Sequence, residues 1–136
     1  MRRPQNAEKS VTFAHGIADY AVGGLLLVAP WLLGFSDHST ATLVTMAFGA
    51  ATIGYSLMTD YELSAVPLLP MRWHLLLDAI SAGLLIGSPF IFDFSDRTWV
   101  PHLVVGIVEA SVTVMTAAAL GIIRWLPPRN RRGMAH

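Results

Sequence analysis

VTFAHGIADYAVGGLLLVAPWLLGF, residues 11–35, contains a single carboxylate, Asp19, and no lysine or arginine. A hydrocarbon core about 30 Å thick takes roughly 20 mostly apolar helical residues, so this stretch is long enough to cross a bilayer. Three more stretches meet or approach the same requirement: Ala41–Met58, Trp73–Phe94 and Val100–Leu126. The second is the shortest, but it lies between two longer apolar runs and carries no charged residue from Ala41 to Thr59, so it counts as a span. Helices satisfy their own backbone in lipid, and none of the four segments alternates as a membrane-barrel strand would. The expected fold is therefore an all-α membrane protein with four transmembrane helices. Arg2, Arg3 and Lys9 precede the first run as they would in a cleaved leader, but the run is too long and Ala29-Pro30-Trp31 makes a poor cleavage site.

Composition agrees. With 136 residues, 54% of them apolar and 13% charged, and a mean hydropathy of +0.54, the chain is too apolar for an ordinary soluble domain. It is expected to form a single membrane domain, 1–136. The absence of cysteine removes disulfides, thiolate metal sites and thiol nucleophiles from consideration. A formal charge of zero conceals a segregation along the chain. With four spans, Arg2, Arg3, Lys9, Arg72, Arg124, Arg129, Arg131 and Arg132 share one side and Arg97 stands alone on the other. The positive-inside rule then puts both termini in the cytoplasm. Trp31, Trp73, Trp99 and Trp125 fall near span ends, where amphipathic rings favour the headgroup layer. The basic tail 127–136 needs no partner beyond anionic lipid, and no nucleic acid is expected.

The chain also repeats itself at an offset of 59 residues. His15-Gly-Ile-Ala-Asp19 aligns with His74-Leu-Leu-Leu-Asp78, Gly24-Leu-Leu with Gly83-Leu-Leu, Pro30 with Pro89, and Phe35-Ser-Asp with Phe94-Ser-Asp. Each copy reads as a helical hairpin, 11–58 and 70–126. An even number of spans per copy gives both the same orientation, so a pseudo-two-fold axis along the membrane normal is expected. These residues resemble the SPW repeat membrane proteins, named for a Ser-Pro-Trp motif in the first helix of each two-helix unit. The motif stands here as Ala29-Pro30-Trp31 and Ser88-Pro89-Phe90, one residue away in each copy. The resemblance covers about His15 to Leu120. It implies a four-helix protein of a bacterial cytoplasmic membrane with no established activity, and supplies no catalytic residues. On physical grounds Pro30 and Pro89 bend or end their helices, Ser88 or a loop hydroxyl is available to a freed carbonyl, Trp31 and Phe90 anchor at the interface, and Gly34 permits the turn.

Asp19, Asp78 and Glu109 lie inside the spans, where an ionised aspartate costs about 2.5–3.5 kcal/mol at mid-helix, so they need partners or protons. The i,i+4 spacing puts His15 beside Asp19 and His74 beside Asp78. Three readings stay open. The pairs hydrogen-bond across the helix interface and fix hairpin packing; the carboxylates form a proton or cation route; or two histidines and two carboxylates near one axis bind a divalent metal, the histidines alone being able to ligate a haem. Backbone rise places Glu109 about 9 Å from the level of the aspartates, which argues against one shared carboxylate cluster. Small residues at Ala79, Gly83 and Gly87, with Gly16, Gly24, Ala47, Ala50, Ala51, Gly54, Gly106 and Ala110 elsewhere, are read as helix-packing stripes, available to a second copy or another membrane protein where they face outward. No phosphate loop, HExxH, GxSxG or CxxC motif names a reaction, and no cofactor is expected. The expected role is a non-catalytic membrane subunit or scaffold, with a small ion- or proton-handling protein second and a metal or haem protein third.

Overall fold

A computed structural model describes residues 5–123. The helices are α1 (Gln5–Leu32), α2 (Ser39–Leu57), α3 (Met71–Ile91) and α4 (Val100–Ala119), all long and apolar enough to cross a membrane. The expected four-helix membrane architecture is therefore present. The first bound shifts: α1 starts six residues before Val11, so its 28 residues rise about 42 Å, more than a bilayer core needs. The fourth shifts too. α4 closes at Ala119 rather than running to Leu126, since Gly121 turns left-handed (φ 72°) and Ile122 N–H and Gly121 N–H return to the carbonyls of Ala117 and Ala118. Trp125, Arg2, Arg3, Arg124 and the basic tail lie outside the described residues.

The same cap explains the prolines. Pro30 and Pro89 are buried and stand two residues before the ends of α1 and α3. Their carbonyls accept the closing bonds from Phe35 N–H at 2.9 Å and Phe94 N–H at 2.8 Å, across left-handed residues Gly34 (φ 73°) and Asp93 (φ 56°). A proline also deprives the carbonyl four residues back of its donor. For Pro89 that carbonyl belongs to Leu85, and Ser88 Oγ donates to it at 2.8 Å. Phe35 and Phe94 fold back from the caps into a buried cluster with Ala29 and Ala41. Trp31, Trp73, Trp99 and Phe90 remain exposed, as interface anchors should.

α1 packs chiefly on α2 and α3 on α4, and the hairpins meet along α1–α4 and α2–α3, so α1 and α3 stand diagonally opposed. The interior is unlike that of a water-soluble bundle. Buried positions recur every three or four residues but are filled largely by His, Asp, Thr, Ser, Gly and Ala, while Leu, Ile, Val, Phe and Trp crowd the exposed faces. Adding 59 to the buried positions of α1 (15, 16, 19, 23, 26, 29, 30) gives those of α3 (74, 75, 78, 82, 85, 88, 89). Between α2 and α4 the offset becomes 57: Thr45 answers to His102, Gly49 to Gly106, Thr52 to Glu109 and Ser56 to Thr113.

Of the glycines expected to pack helices Gly106 does so, and the other close approach is made at Gly23 and Gly49. A Cβ on Gly49 would lie 2.7 Å from the Gly23 carbonyl oxygen, and one on Gly106 3.0 Å from that of Ala82. By contrast Gly24, Gly54 and Gly83 meet nothing, and Ala47, Ala50, Ala51 and Ala79 are exposed, so those small residues face away from the bundle interior. Gly16 has a separate purpose, since the ring of Tyr61 lies where its Cβ would be, at 2.6 Å.

Candidate functional site

The centre of the bundle is polar because α1 and α3 each carry a histidine and an aspartate one helical turn apart, on the face turned to the axis. His15, Asp19, His74 and Asp78 are all buried and converge there, each offering a ligand atom within 4.8 Å of the others. The shortest ionic contacts cross between hairpins: His15 Nε2 to Asp78 Oδ2 at 2.9 Å and His74 Nε2 to Asp19 Oδ2 at 3.0 Å. The i,i+4 pairs within each helix are looser, 3.3 Å for His15–Asp19 and 3.2 Å for His74–Asp78. The two Nε2 atoms face each other at 3.1 Å.

Hydroxyls surround this cluster, and sequence reasoning missed all of them. His15 Nδ1 meets Thr116 Oγ1 at 2.8 Å, and His74 Nδ1 meets Thr59 Oγ1 at 2.6 Å. Tyr55 donates to Asp78 Oδ1 at 2.7 Å, while Ser56 and Tyr61 donate to Asp19 Oδ2 at 3.2 and 3.3 Å. A lone Thr, Ser or Tyr in an apolar run carries no signal of its own. The 57-residue spacing of Thr59 and Thr116 is the one regularity that could have pointed to them. Tyr61 comes from the loop joining α2 to α3, which folds back so that its ring packs on His74 with centroids 5.7 Å apart. Burial pushes the Tyr61 phenol above its ordinary range, and the Asp19 carboxylate acts in the same sense, so it serves as a hydrogen-bond donor.

One tautomer follows from the geometry. Thr59 has one hydroxyl proton, and it is given to the Tyr55 carbonyl at 2.7 Å. Thr59 must then accept from His74 Nδ1–H, and Nε2 is the nitrogen turned to the two carboxylates and the other histidine.

Glu109 stands outside the group of four. It is 8% exposed, both its oxygens lack a hydrogen-bond partner, and it lines a cavity of about 10 Å³ together with His15, Asp19, Asp78, Thr52 and Thr113. Backbone rise keeps it out of the tight group of four, but the interval between them is this cavity rather than packed protein. So small a space holds about one water-sized particle and leaves no room for a porphyrin between the histidines.

Nearer the other surface lies a third buried histidine, which the sequence reading passed over. His102 Nε2 bonds Thr45 Oγ1 at 2.9 Å, and its ring packs between Phe35 and Phe94, at centroid distances of 6.0 and 5.1 Å. The two phenylalanines of the repeated Phe-Ser-Asp segment therefore enclose it. Above them Arg97 binds both carboxylate oxygens of Asp37, linking the α1–α2 loop to the α3–α4 loop and holding the Asp37 carboxyl below its ordinary range.

No curated protein and no solved structure matches the chain. The model of the SPW repeat domain matches residues 12–122, which run from the early turns of α1 to just past the α4 cap and take in both prolines and the whole His/Asp cluster. On that match, and with four helices of bilayer-spanning length, the chain belongs to the SPW repeat family and is a multi-pass membrane protein.

Proposed function

We propose that the protein is a non-catalytic membrane subunit or scaffold whose two tandem hairpins are locked together by the His15, Asp19, His74 and Asp78 cluster. The observation that carries this reading is the burial of all four residues against one another, beside a cavity too small to admit a substrate. Polar side chains that bond across helices in this way set packing and register in membranes. A pseudo-two-fold relation between the hairpins is supported by the repeated burial pattern of α1 and α3. Residence in a bacterial cytoplasmic membrane with both termini inside is supported by the family and by the placement of Lys9 and Arg72 at one end of the bundle against Arg97 at the other. The outward small residues on α2 and α3 support a neighbour, either another membrane protein or a second copy.

The test is extraction of the native membrane into lipid nanodiscs without stripping detergent. A defined partner or a discrete homo-oligomer should co-purify with the chain at fixed stoichiometry. Recovery of the bare monomer from repeated preparations is the result that defeats this reading.

A second reading, proton or cation handling, is favoured by one observation: the unpartnered Glu109 carboxylate beside Asp19 and Asp78. Liposomes containing the protein should then conduct protons or a monovalent cation, and Glu109→Gln should abolish the flux. Wild-type liposomes that stay as tight as empty ones eliminate it.

A further inference from the structure

We propose that His15, Asp19, His74 and Asp78 form a four-coordinate site for a divalent transition-metal cation of the zinc class, tying α1 to α3 across the bundle. This deepens the scaffold reading and rests on the same cluster.

The first support is shape. A tetrahedral ion with bonds of about 2.0–2.1 Å holds its ligand atoms about 3.3–3.4 Å apart. The distances His15–His74, His15–Asp78, His15–Asp19, His74–Asp19 and His74–Asp78 are 3.1, 2.9, 3.3, 3.0 and 3.2 Å. With Asp19 Oδ2 as the fourth ligand atom, four of these distances are edges of one tetrahedron within about half an ångström of the required length, and the contact of Asp19 with His15 is made by its other oxygen, Oδ1.

The second support is lone-pair direction. With Nδ1–H committed to Thr59, Nε2 is the nitrogen that His74 turns to carboxylate oxygens, and those present only unshared pairs. Such an arrangement repels itself unless a cation or a proton stands at the point of convergence. A divalent ion answers this for both histidines at once, and its charge balances the two aspartates, which satisfies the requirement that buried charge be compensated.

Third, the surroundings are those of an oriented metal site. Each histidine has its remote nitrogen fixed by a threonine, and each aspartate has a hydroxyl donor on the carboxylate, from Tyr55 or from Ser56 and Tyr61. Independently of the four, Glu109 is more than nine-tenths buried, has no partner, and lines the adjoining cavity together with His15, Asp19 and Asp78. Two imidazoles and two carboxylates select zinc-like ions over calcium or magnesium, which take oxygen alone. With four protein ligands the site is closed, so the ion would be structural. A groove of about 350 Å³ between α1 and α4, with His15 and Thr116 among its lining residues, offers a way in.

The test uses the full chain without an oligohistidine tag, purified in mild detergent, stripped with chelator and titrated with Co²⁺. Visible d–d bands of a tetrahedral nitrogen–oxygen site should saturate at one Co²⁺ per chain and vanish when Zn²⁺ is added. Thr59→Val, which removes the hydrogen bond to His74 Nδ1 but no ligand atom, should weaken binding about 10–100-fold with helicity unchanged. His74→Gln should remove the bands. A folded, helical wild type that gives no bands and retains no zinc overturns the proposal, as does a folded His74→Gln variant that titrates like wild type. Should His74→Gln fail to fold, X-ray absorption of zinc-loaded wild type decides instead: two imidazoles in a first shell near about 2.0 Å are expected, and a shell without imidazole scattering overturns it. A failed titration leaves partner recovery from nanodiscs untouched, so the metal and the scaffold readings fall separately.

Discussion

Asp78 and Asp19 occupy matching places in the two hairpins, yet their surroundings differ enough to give unequal penalties on truncation. Asp78 accepts from Tyr55 at 2.7 Å and contacts His15 and His74 at 2.9 and 3.2 Å. Asp19 has one contact at 3.0 Å, to His74, and three between 3.2 and 3.3 Å, to Ser56, Tyr61 and His15. Interhelical hydrogen bonds in membrane proteins average about 0.6 kcal/mol and reach about 1.7, so three contacts near the strong end make Asp78→Ala cost about 2–4 kcal/mol. Removing one partner of a buried ionic cluster in water-soluble proteins costs about 3–5 kcal/mol, which sets the upper bound. For Asp19→Ala, with longer bonds, about 1–2 kcal/mol is expected on the same scale. Reversible unfolding by sodium dodecyl sulfate in mixed micelles, followed by circular dichroism on chelator-stripped protein, measures both. The double variant should fall short of the sum by about 0.5 kcal/mol or more, because the two carboxylates share both histidines. An Asp19→Ala penalty equal to or above that of Asp78→Ala, or two penalties under about 0.5 kcal/mol with no coupling, would refute the idea that this cluster locks the hairpins.

The same unfolding assay checks the glycines: Gly49→Ala places a Cβ 2.7 Å from the Gly23 carbonyl and should cost about 1–3 kcal/mol. Gly83→Ala, at an open position, should stay within about 0.5 kcal/mol of wild type or stabilise slightly; equal effects at the two sites would show that α1 and α2 do not meet where described. The Asp37 carboxyl is held below its unfolded value of 3.8 by the hydrogen bonds from Arg97, so its contribution is complete above that value and is lost as pH falls through the lower folded one. Wild type should therefore lose stability below pH 3.8 relative to Arg97→Gln, and parallel pH profiles for the two proteins would contradict the pairing.

Much of the architecture is legible in the chain because lipid imposes a one-dimensional requirement: a run of apolar residues long enough to span. Pro30 and Pro89 are legible for the same kind of local reason, since each terminates its helix within one turn, and the cap that follows needs only Gly34 or Asp93 nearby. The duplicated His15/Asp19 and His74/Asp78 pairs are visible through their common offset. The relation of α2 to α4 is not, because the connection from Phe94 to His102 is two residues shorter than that from Phe35 to Thr45 and breaks the register.

Spans, charge segregation, the proline-marked ends of α1 and α3 and the pairing of each histidine with an aspartate belong to the sequence alone, since each depends on residues within a few turns of one another. Which faces turn inward belongs to the tertiary structure, because lipid tolerates Leu, Ala and Gly on any face and gives no amphipathic stripe to read. For that reason Gly23 and Gly49 pack while Gly83 does not, and Thr59, Thr116 and Tyr61 reach the cluster from separate segments. Only the diagonal meeting of α1 and α3 turns two local pairs into one buried group of four beside Glu109.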